Sequence, residues 1–381
     1  MNDPRQPLEL HLRTRLVFER GALLRLGGLA RELGGRRALV VTDHGVAAAG
    51  HLDRARSALE TAGVAVAAFA AVHENPTTDD VDACVAAARA HGADLLVGLG
   101  GGSALDTAKG ANFLLTNGGQ MRDFWGVGKA SQPMLPFIAI PTTAGTGSEV
   151  QSAALIADAA THQKMACLDP KAAARIALLD PDLTLTQPPR VTASTGLDAL
   201  AHALETAVTR EGNWISDWFA REAFRRLWPA FPRVLAAPGD VAARGEMLLG
   251  AAFAGWAIEH SMLGATHSLA NPLTAHCGLV HGHAVGLLLP FVVEFNAEVE
   301  SAAQTYTHLA QVAGLTAKEL LPEALRERLA LTGLALRLRD CGVPREALPA
   351  LAEEAARQWT AQFNPRPVTV PELRRLYEAA W

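Results

Sequence analysis

The chain has 381 residues, more than one hydrophobic core usually organises, so two domains are expected. It is 49% hydrophobic and 19% charged, the balance of a globular protein, and its formal net charge of −5 argues against nucleic acid as the main partner. The opening MNDPRQPLEL has no apolar signal core, and the run AVGLLLPFVV is too short to span a bilayer and contains Pro290, so neither a secretory signal nor a membrane partner is expected.

In chain order, RALVVTD (37–43) is rich in Val and reads as a buried strand. HLDRARSALETAG (51–63) reads as a helix ending at a glycine, and VAVAAFA (64–70) as a second strand. DDVDACVAAARAHGA (79–93) is a helix, DLLVGLG (94–100) a strand, SALDTAKGANFLL (103–115) a helix and LPFIAIP (135–141) a strand. This alternation implies right-handed crossovers and a mostly parallel sheet. AALIADAATHQKMACL (153–168) reads as a hairpin added to that sheet, and RIALLD (175–180) as one more strand. Past the Pro-rich PDLTLTQPPR (181–190), helical periodicity fills 194–208, 214–229, 241–260, 301–313, 318–339, 345–360 and 370–380. The expectation is a Rossmann-like α/β domain over 1–187 and an all-helical domain over 188–381. The scattered Cys84, Cys167, Cys277 and Cys341, with no CxxC, fit reduced thiols in a cytoplasm.

Three stretches of the first half suit a nucleotide. In LVGLGGGSALDTAK a strand runs into Gly100–Gly102 and a helix begins at Ser103, with Asp106 at the spacing of a capping box. Glycines let a ligand approach the backbone, and helix N-terminal N–H groups attract phosphate. The usual GxGxxG is absent, and a plain tight turn is the competing reading. IPTTAGTGSEV (140–150) offers hydroxyls and N–H groups after a strand, where α/β folds bind ligands; a plain polar loop explains it equally well. Asp43 ends its strand where an acid accepts from an adenosine ribose and repels a 2′-phosphate, or else caps the following turn.

The second half holds a different chemistry. GLDALAHALE places Asp198 and His202 four residues apart, one above the other on an apolar helix. GATHSLANPLTAHCGLVHGHAVG (264–286) adds His267, His276, His281 and His283. Buried imidazoles and carboxylates need partners, and a divalent metal is the economical one. Pro272 and Gly278 place His267 and His281 on separate, converging helical segments. Composition leaves open which histidines bind. One carboxylate with three neutral imidazoles suits Fe(II) and Zn(II) alike.

Together these motifs resemble those of the iron-dependent, or group III, alcohol dehydrogenase family. The resemblance runs from about residue 15 to Trp381 through ENPTTDDV, GGGSALDTAK, IPTTAGTGSEV, DPDLT, TGLDALAHALE, LGATHSLANPL, VHGHAVGLLLP and FNPRPVTVPELRRLYEAAW. It implies the dehydroquinate synthase-like architecture of that family, an α/β domain followed by a helical one. It implies Fe(II), with Zn(II) as the alternative, on Asp198, His202, His267 and His281. It implies NAD on Asp43, Asn75, Gly101, Gly102, Ser103, Asp106, Thr142, Thr143, Thr146 and Lys164. A small alcohol or aldehyde is the implied substrate, lined by Ala153, Ile258 and Phe363, and the enzyme is a homodimer or larger homo-oligomer. The proton leaves through water, the ribose hydroxyls, His283 or His260. Two positions depart from the pattern: Asn271 stands where some relatives carry His, and His260 where relatives carry Asn. The alternatives are a maleylacetate reductase-like enzyme, a metal-dependent lyase or cyclase on the same fold, and a non-catalytic metal-binding protein. A lyase of that kind needs cations for a substrate phosphate, and 258–290 contains no Lys or Arg.

Overall fold

Val-, Leu- and Ile-rich strands separated by helices bury both faces of a sheet, so their apolar runs are continuous rather than alternating. The computed structural model describes residues 10–161 and 163–381. The chain divides into two compact units, one running to Thr143 and resuming over Gly147–Gln187, the other comprising Ala144–Thr146 and Pro188–Trp381.

The first unit contains β1 (Arg15–Phe18), α1 (Leu26–Glu32), β2 (Arg37–Val41), α2 (His44–Ala48), α3 (His51–Thr61), β3 (Ala65–Phe69), α4 (Thr78–His91), β4 (Leu95–Gly100), α5 (Gly102–Asn117), β5 (Gly126–Val127), β6 (Phe137–Pro141), β7 (Ala153–Ala157), β8 (Lys164–Leu168) and β9 (Ile176–Leu179). Six strands form a parallel sheet in the order β1-β9-β6-β4-β2-β3. Alternate side chains feed two cores: Leu39, Val41, Leu96 and Ala139 on one face, Ala38, Val40, Val97 and Ile138 on the other. Because β2 pairs with β3 on one side and β4 on the other, the strand order reverses there, and the crevice opens at the carboxyl ends of β2 and β4.

The hairpin departs from expectation. β7 and β8 pair antiparallel as expected, but with β5 they make a separate three-stranded sheet. The edge beside β6 is taken by β9, and β1 covers β9 in turn, a strand the sequence pattern did not disclose. The hairpin instead buries Ala154, Ile156, Met165 and Cys167 in the core shared with Ala108 and Ala111 of α5. The Ser103–Asp106 capping box is also absent. α5 starts at Gly102 on a Gly101 N-cap with no side-chain cap, because the Asp106 carboxylate is engaged elsewhere, accepting from Ser148 Oγ at 2.6 Å and the Leu155 N–H at 3.2 Å.

The second unit is helical: α6 (Pro189–Thr206), α7 (Trp214–Ala236), α8 (Val241–Glu259), α9 (Ala265–Cys277), α10 (His281–Asn296), α11 (Glu300–Val312), α12 (Leu321–Ala330), α13 (Leu348–Arg357) and α14 (Val370–Ala380). The expected single helix over 318–339 ends at Ala330, ahead of Gly333 at φ 68°. α7 continues past Pro229 and Pro232 to Ala236, further than its expected end at 229. The break between His267 and His281 lies at Gly278, φ 65°, while Pro272 sits inside α9. Among the described residues one helix, α8, is long and apolar enough to cross a membrane; 72% of its apolar window is buried in the protein, as in a core helix.

α6 is buried along almost its whole length, and α10 lies directly on it. A Cβ built on Gly282 would stand 2.0 Å from the Ser194 carbonyl oxygen, and one on Gly286 2.6 Å from Leu197 Cδ1. Only glycine at these points permits that approach. Gly282→Ala is therefore expected to destabilise by about 1–3 kcal/mol through overpacking, read as a lower urea midpoint with an unchanged slope.

Candidate active site

In the helical unit, i and i+4 positions of α6 carry Asp198 and His202, while α9 and α10 bring His267 and His281 to the same point. The Asp198 Oδ1 lies 3.4 Å from His202 Nε2, 3.4 Å from His267 Nε2 and 3.8 Å from His281 Nε2. Asp198, His267 and His281 each offer a ligand atom within a mutual 4.8 Å. His202 joins through Asp198 and through its ring, stacked on that of His267 at 4.8 Å between centroids and 17°. Asp198 Oδ1 and His267 Nε2 are buried and make no hydrogen bond. Donor atoms about 2.0–2.2 Å from a shared ion stand roughly 3.3–3.6 Å apart at the corners of a tetrahedron, so the spacing fits a divalent metal.

The opposite ring nitrogens are tethered. His267 Nδ1 donates to Glu205 Oε2 at 2.5 Å, and His202 Nδ1 donates to the Gly145 carbonyl at 3.2 Å. A proton held on Nδ1 leaves the Nε2 lone pair facing Asp198, the tautomer a metal requires. Without an ion, the carboxylates and imidazoles partly balance one another's charge, so a metal would displace the proton from His267 Nε2. Burial opposes ionisation of Asp198, yet the imidazoles of His202, His267 and His281 hold its carboxyl far below the usual range. Burial disfavours a charged His267, but the Glu205 and Asp198 carboxylates lift it to about 9. Burial keeps His202 below its usual value. Two buried carboxylates thus leave the cluster short of positive charge.

Glu205, 3% exposed, is a residue sequence reasoning missed. It closes the same face of α6 at i, i+4, i+7 with Asp198 and His202, a third charge on one apolar stripe, and that spacing was the available signal. It also accepts from the Thr266 N–H at 2.6 Å, fixing the start of α9. The Gly145 carbonyl, being backbone, left no signal of its own.

In the α/β unit Asp43, Thr142, Thr143 and the Gly100–Ser103 turn gather at the strand-order reversal. Asp43 Oδ1 caps α2 through the Val46 N–H at 2.9 Å, while its Oδ2 lies 3.4 Å from where a Cβ on Gly100 would stand. Capping and facing the glycine turn therefore coexist. The Thr142 N–H donates to the Gly100 carbonyl at 3.0 Å, and Thr143 lies 3.4 Å from a Cβ built on Gly101. The turn 100–103 and the loop after β6 are thus neighbours, and the N-terminus of the 16-residue α5 opens at Gly102 and Ser103. Thr146 is half-buried in the segment counted with the helical unit. Asn75 is exposed at φ 54°, and Lys164 is exposed at the start of β8. Asp106 is turned toward Ser148 and Leu155.

The remaining candidates are dispersed. Ala153 is half-buried at the start of β7; Ile258 is buried near the end of α8; Phe363 is half-buried, its carbonyl taking the Arg210 N–H. His260 caps α8 and stacks on Phe219 at 6.4 Å. His283 donates Nε2–H to the Ala335 carbonyl at 2.8 Å, and burial holds it below its usual value. His276 pairs with Glu354 at the surface, and Asn271 donates to Gln358.

The family model for iron-containing alcohol dehydrogenase matches residues 13–181, and that for the Fe-containing alcohol dehydrogenase family, C-terminal, matches residues 192–381. The chain is 34% identical over 375 residues to lactaldehyde reductase of Escherichia coli (strain K12), covering 96% of this chain and 97% of that one. It is 32% identical over 372 residues to NAD-dependent methanol dehydrogenase of Bacillus methanolicus, again covering 96% and 97%. Among solved structures, sulfoacetaldehyde reductase from Bifidobacterium kashiwanohense in complex with NAD+ superposes with a TM-score of 0.90 at 26% identity, covering 98% of this chain and 99% of that one.

Glu149, 2% exposed beside the loop, supplies a pH test. Burial pushes its carboxyl from 4.5 up to about 7, against its own backbone N–H and the Lys109 ammonium. A folded-state value above the unfolded one means that the contribution of Glu149 to stability is largest below pH 4.5 and is lost as pH rises to about 7. The stability of Glu149→Gln relative to wild type is expected to rise across that window by up to roughly 3 kcal/mol, measured by urea unfolding at successive pH values.

Proposed function

The chain belongs to the iron-containing alcohol dehydrogenase family, and on that premise we propose that it transfers a hydride between NAD(H) and a small alcohol or aldehyde. The observation that carries this reading is the convergence of three imidazole Nε2 atoms on one Asp198 oxygen that has no hydrogen bond of its own. Asp198, His202, His267 and His281 would hold Fe(II). When bound, Fe(II) supplies Lewis acidity toward the substrate oxygen and NAD(H) supplies the hydride couple.

The chain's own residues do the rest. The N–H groups of Gly101, Gly102 and Ser103 at the start of α5 bind the pyrophosphate. Asp43 accepts from the ribose, Thr142, Thr143 and Thr146 orient the nicotinamide end, and Asn75 and Lys164 belong to the same cofactor set. Glu205 and the Gly145 carbonyl keep His267 and His202 in the metal-binding tautomer. The alcohol proton leaves through water or the ribose hydroxyls. His283, whose Nε2–H goes to the Ala335 carbonyl and whose Nδ1 can accept a proton, and His260 are the histidines for a relay. Free thiols at all four cysteines support a reducing cytoplasm. Exposed Trp214, Trp218 and Trp359 support a homodimer or larger homo-oligomer.

Ala153, Ile258 and Phe363 are apolar, so short aliphatic primary alcohols should be preferred to triols, with binding improving by about 0.8 kcal/mol per buried methylene. Under anaerobic conditions with Fe(II), a screen of alcohols, diols and aldehydes tests the reading; glycerol outperforming butanol would overturn the pocket assignment.

His267→Ala and His281→Ala are expected to lose bound metal and NADH production while staying folded. Metal analysis of purified variants checks this, and full metal in either one refutes the ligand set.

For the nucleotide, a 2′-phosphate beside Asp43 is a like-charge contact costing several kcal/mol, so kcat/KM should favour NAD over NADP by about a hundredfold or more. Asp43→Ser keeps the cap on α2 while removing the charge. It should gain NADP activity and lose some NAD affinity, and equal use of both nucleotides by wild type would place the carboxylate elsewhere.

A further inference from the structure

Lys109, on α5, is fully buried, an expensive place for an ammonium unless something demands it. Its Nζ donates to the Ser148 carbonyl at 2.7 Å, to Ser148 Oγ at 2.8 Å and to the Ala153 carbonyl at 2.8 Å. Asp106, one turn earlier on the same helix, lies 3.6 Å from that nitrogen. The Asp106 Oδ1 accepts from Ser148 Oγ at 2.6 Å and its Oδ2 from the Leu155 N–H at 3.2 Å. One ion pair on α5 therefore grips the chain at Ser148, where the loop after β6 ends, and at Ala153 and Leu155 in β7. The other end of the loop is anchored on the glycine turn, through Thr142 N–H to the Gly100 carbonyl and Thr143 against Gly101.

We infer that Asp106, Lys109 and Ser148 form a positioning triad, which acts on nucleotide affinity by holding the loop after β6 against the Gly100–Ser103 turn rather than by touching the nucleotide. The inference rests on the cofactor reading above and departs from it at one residue. Asp106, 8% exposed, has both carboxylate oxygens committed to Ser148 and Leu155, and so serves the loop instead of the ligand. The same commitment explains why Asp106 leaves α5 without a side-chain cap.

The experiment is a double-mutant cycle on the full-length protein, with NADH Kd read by fluorescence titration for wild type, Ser148→Ala, Asp106→Ala and the double variant. Asp106→Asn replaces Asp106→Ala if the latter does not fold. Urea midpoints are measured in parallel, since a merely structural role lowers the midpoint and leaves the native-state Kd unmoved. Each single variant is expected to weaken NADH binding about tenfold, as for one lost charge-assisted hydrogen bond. The double variant should be no more than about twofold worse than the poorer single, because both removals break one linkage. Losses that multiply, or a Ser148→Ala variant with wild-type Kd, overturn the triad while leaving the cofactor reading intact. A wild type that binds no NADH overturns the cofactor reading and the triad with it.

Discussion

One carboxylate oxygen sets the terms for the helical unit. Asp198 Oδ1 is buried, ionised and without a hydrogen bond, and three imidazoles from three helices face it. A charge in that position is tolerable only if a cation completes it. Everything around it serves the convergence. α6 presents Asp198 and His202 one turn apart, Gly282 and Gly286 let α10 lie on α6, and Glu205 secures α9 by its first turn. The glycines and Glu205 contribute no ligand atom, yet without them His267 and His281 would not reach the same point.

The α/β unit solves a different problem with different means. Its candidate cradle is mostly backbone: a glycine turn, the first N–H groups of α5 and a loop after β6. Backbone groups hold position only as well as the segments carrying them, so the precision has to come from elsewhere. Parallel β2, β4 and β6 bring the three segments to one edge, and Asp43, the Thr142–Gly100 bond and the Lys109–Asp106 pair tie them together.

Legibility followed chemical strength and range. The spacing of Asp198 and His202 pointed to the candidate metal cluster because an acid and a base on an apolar helix have few other uses. Strands and helices of the first unit were legible because their periodicity is local. The placement of the hairpin was not, since it depends on β9 claiming the edge beside β6, a pairing across about forty residues that no local pattern records. The capping box failed for a related reason. Ser103 and Asp106 have the right spacing, but a partner at position 148 competes for the carboxylate and wins, because a buried serine hydroxyl and a buried ammonium need it more than a helix start that water and ligand can satisfy. Glu205 escaped notice although its i+7 spacing was visible, because a single Glu at the end of an apolar helix also reads as its solvated end.

The two buried polar clusters of this chain show how a ligand site is told from a structural one. Around Lys109 the donors and acceptors close on one another: the ammonium has carbonyls and a hydroxyl, and the carboxylate has a hydroxyl and an N–H. That cluster is complete as it stands and holds a loop. Around Asp198 the count does not close. The outer nitrogens of His202 and His267 are satisfied, and their inner nitrogens face the Asp198 carboxylate, where a proton on His267 or a divalent cation supplies the missing positive charge. A divalent ion bound by these atoms would displace the His267 proton and complete the carboxylate with a larger charge. The pairing of satisfied outer atoms with unsatisfied inner ones, rather than the abundance of histidine, is therefore what marks the candidate metal centre.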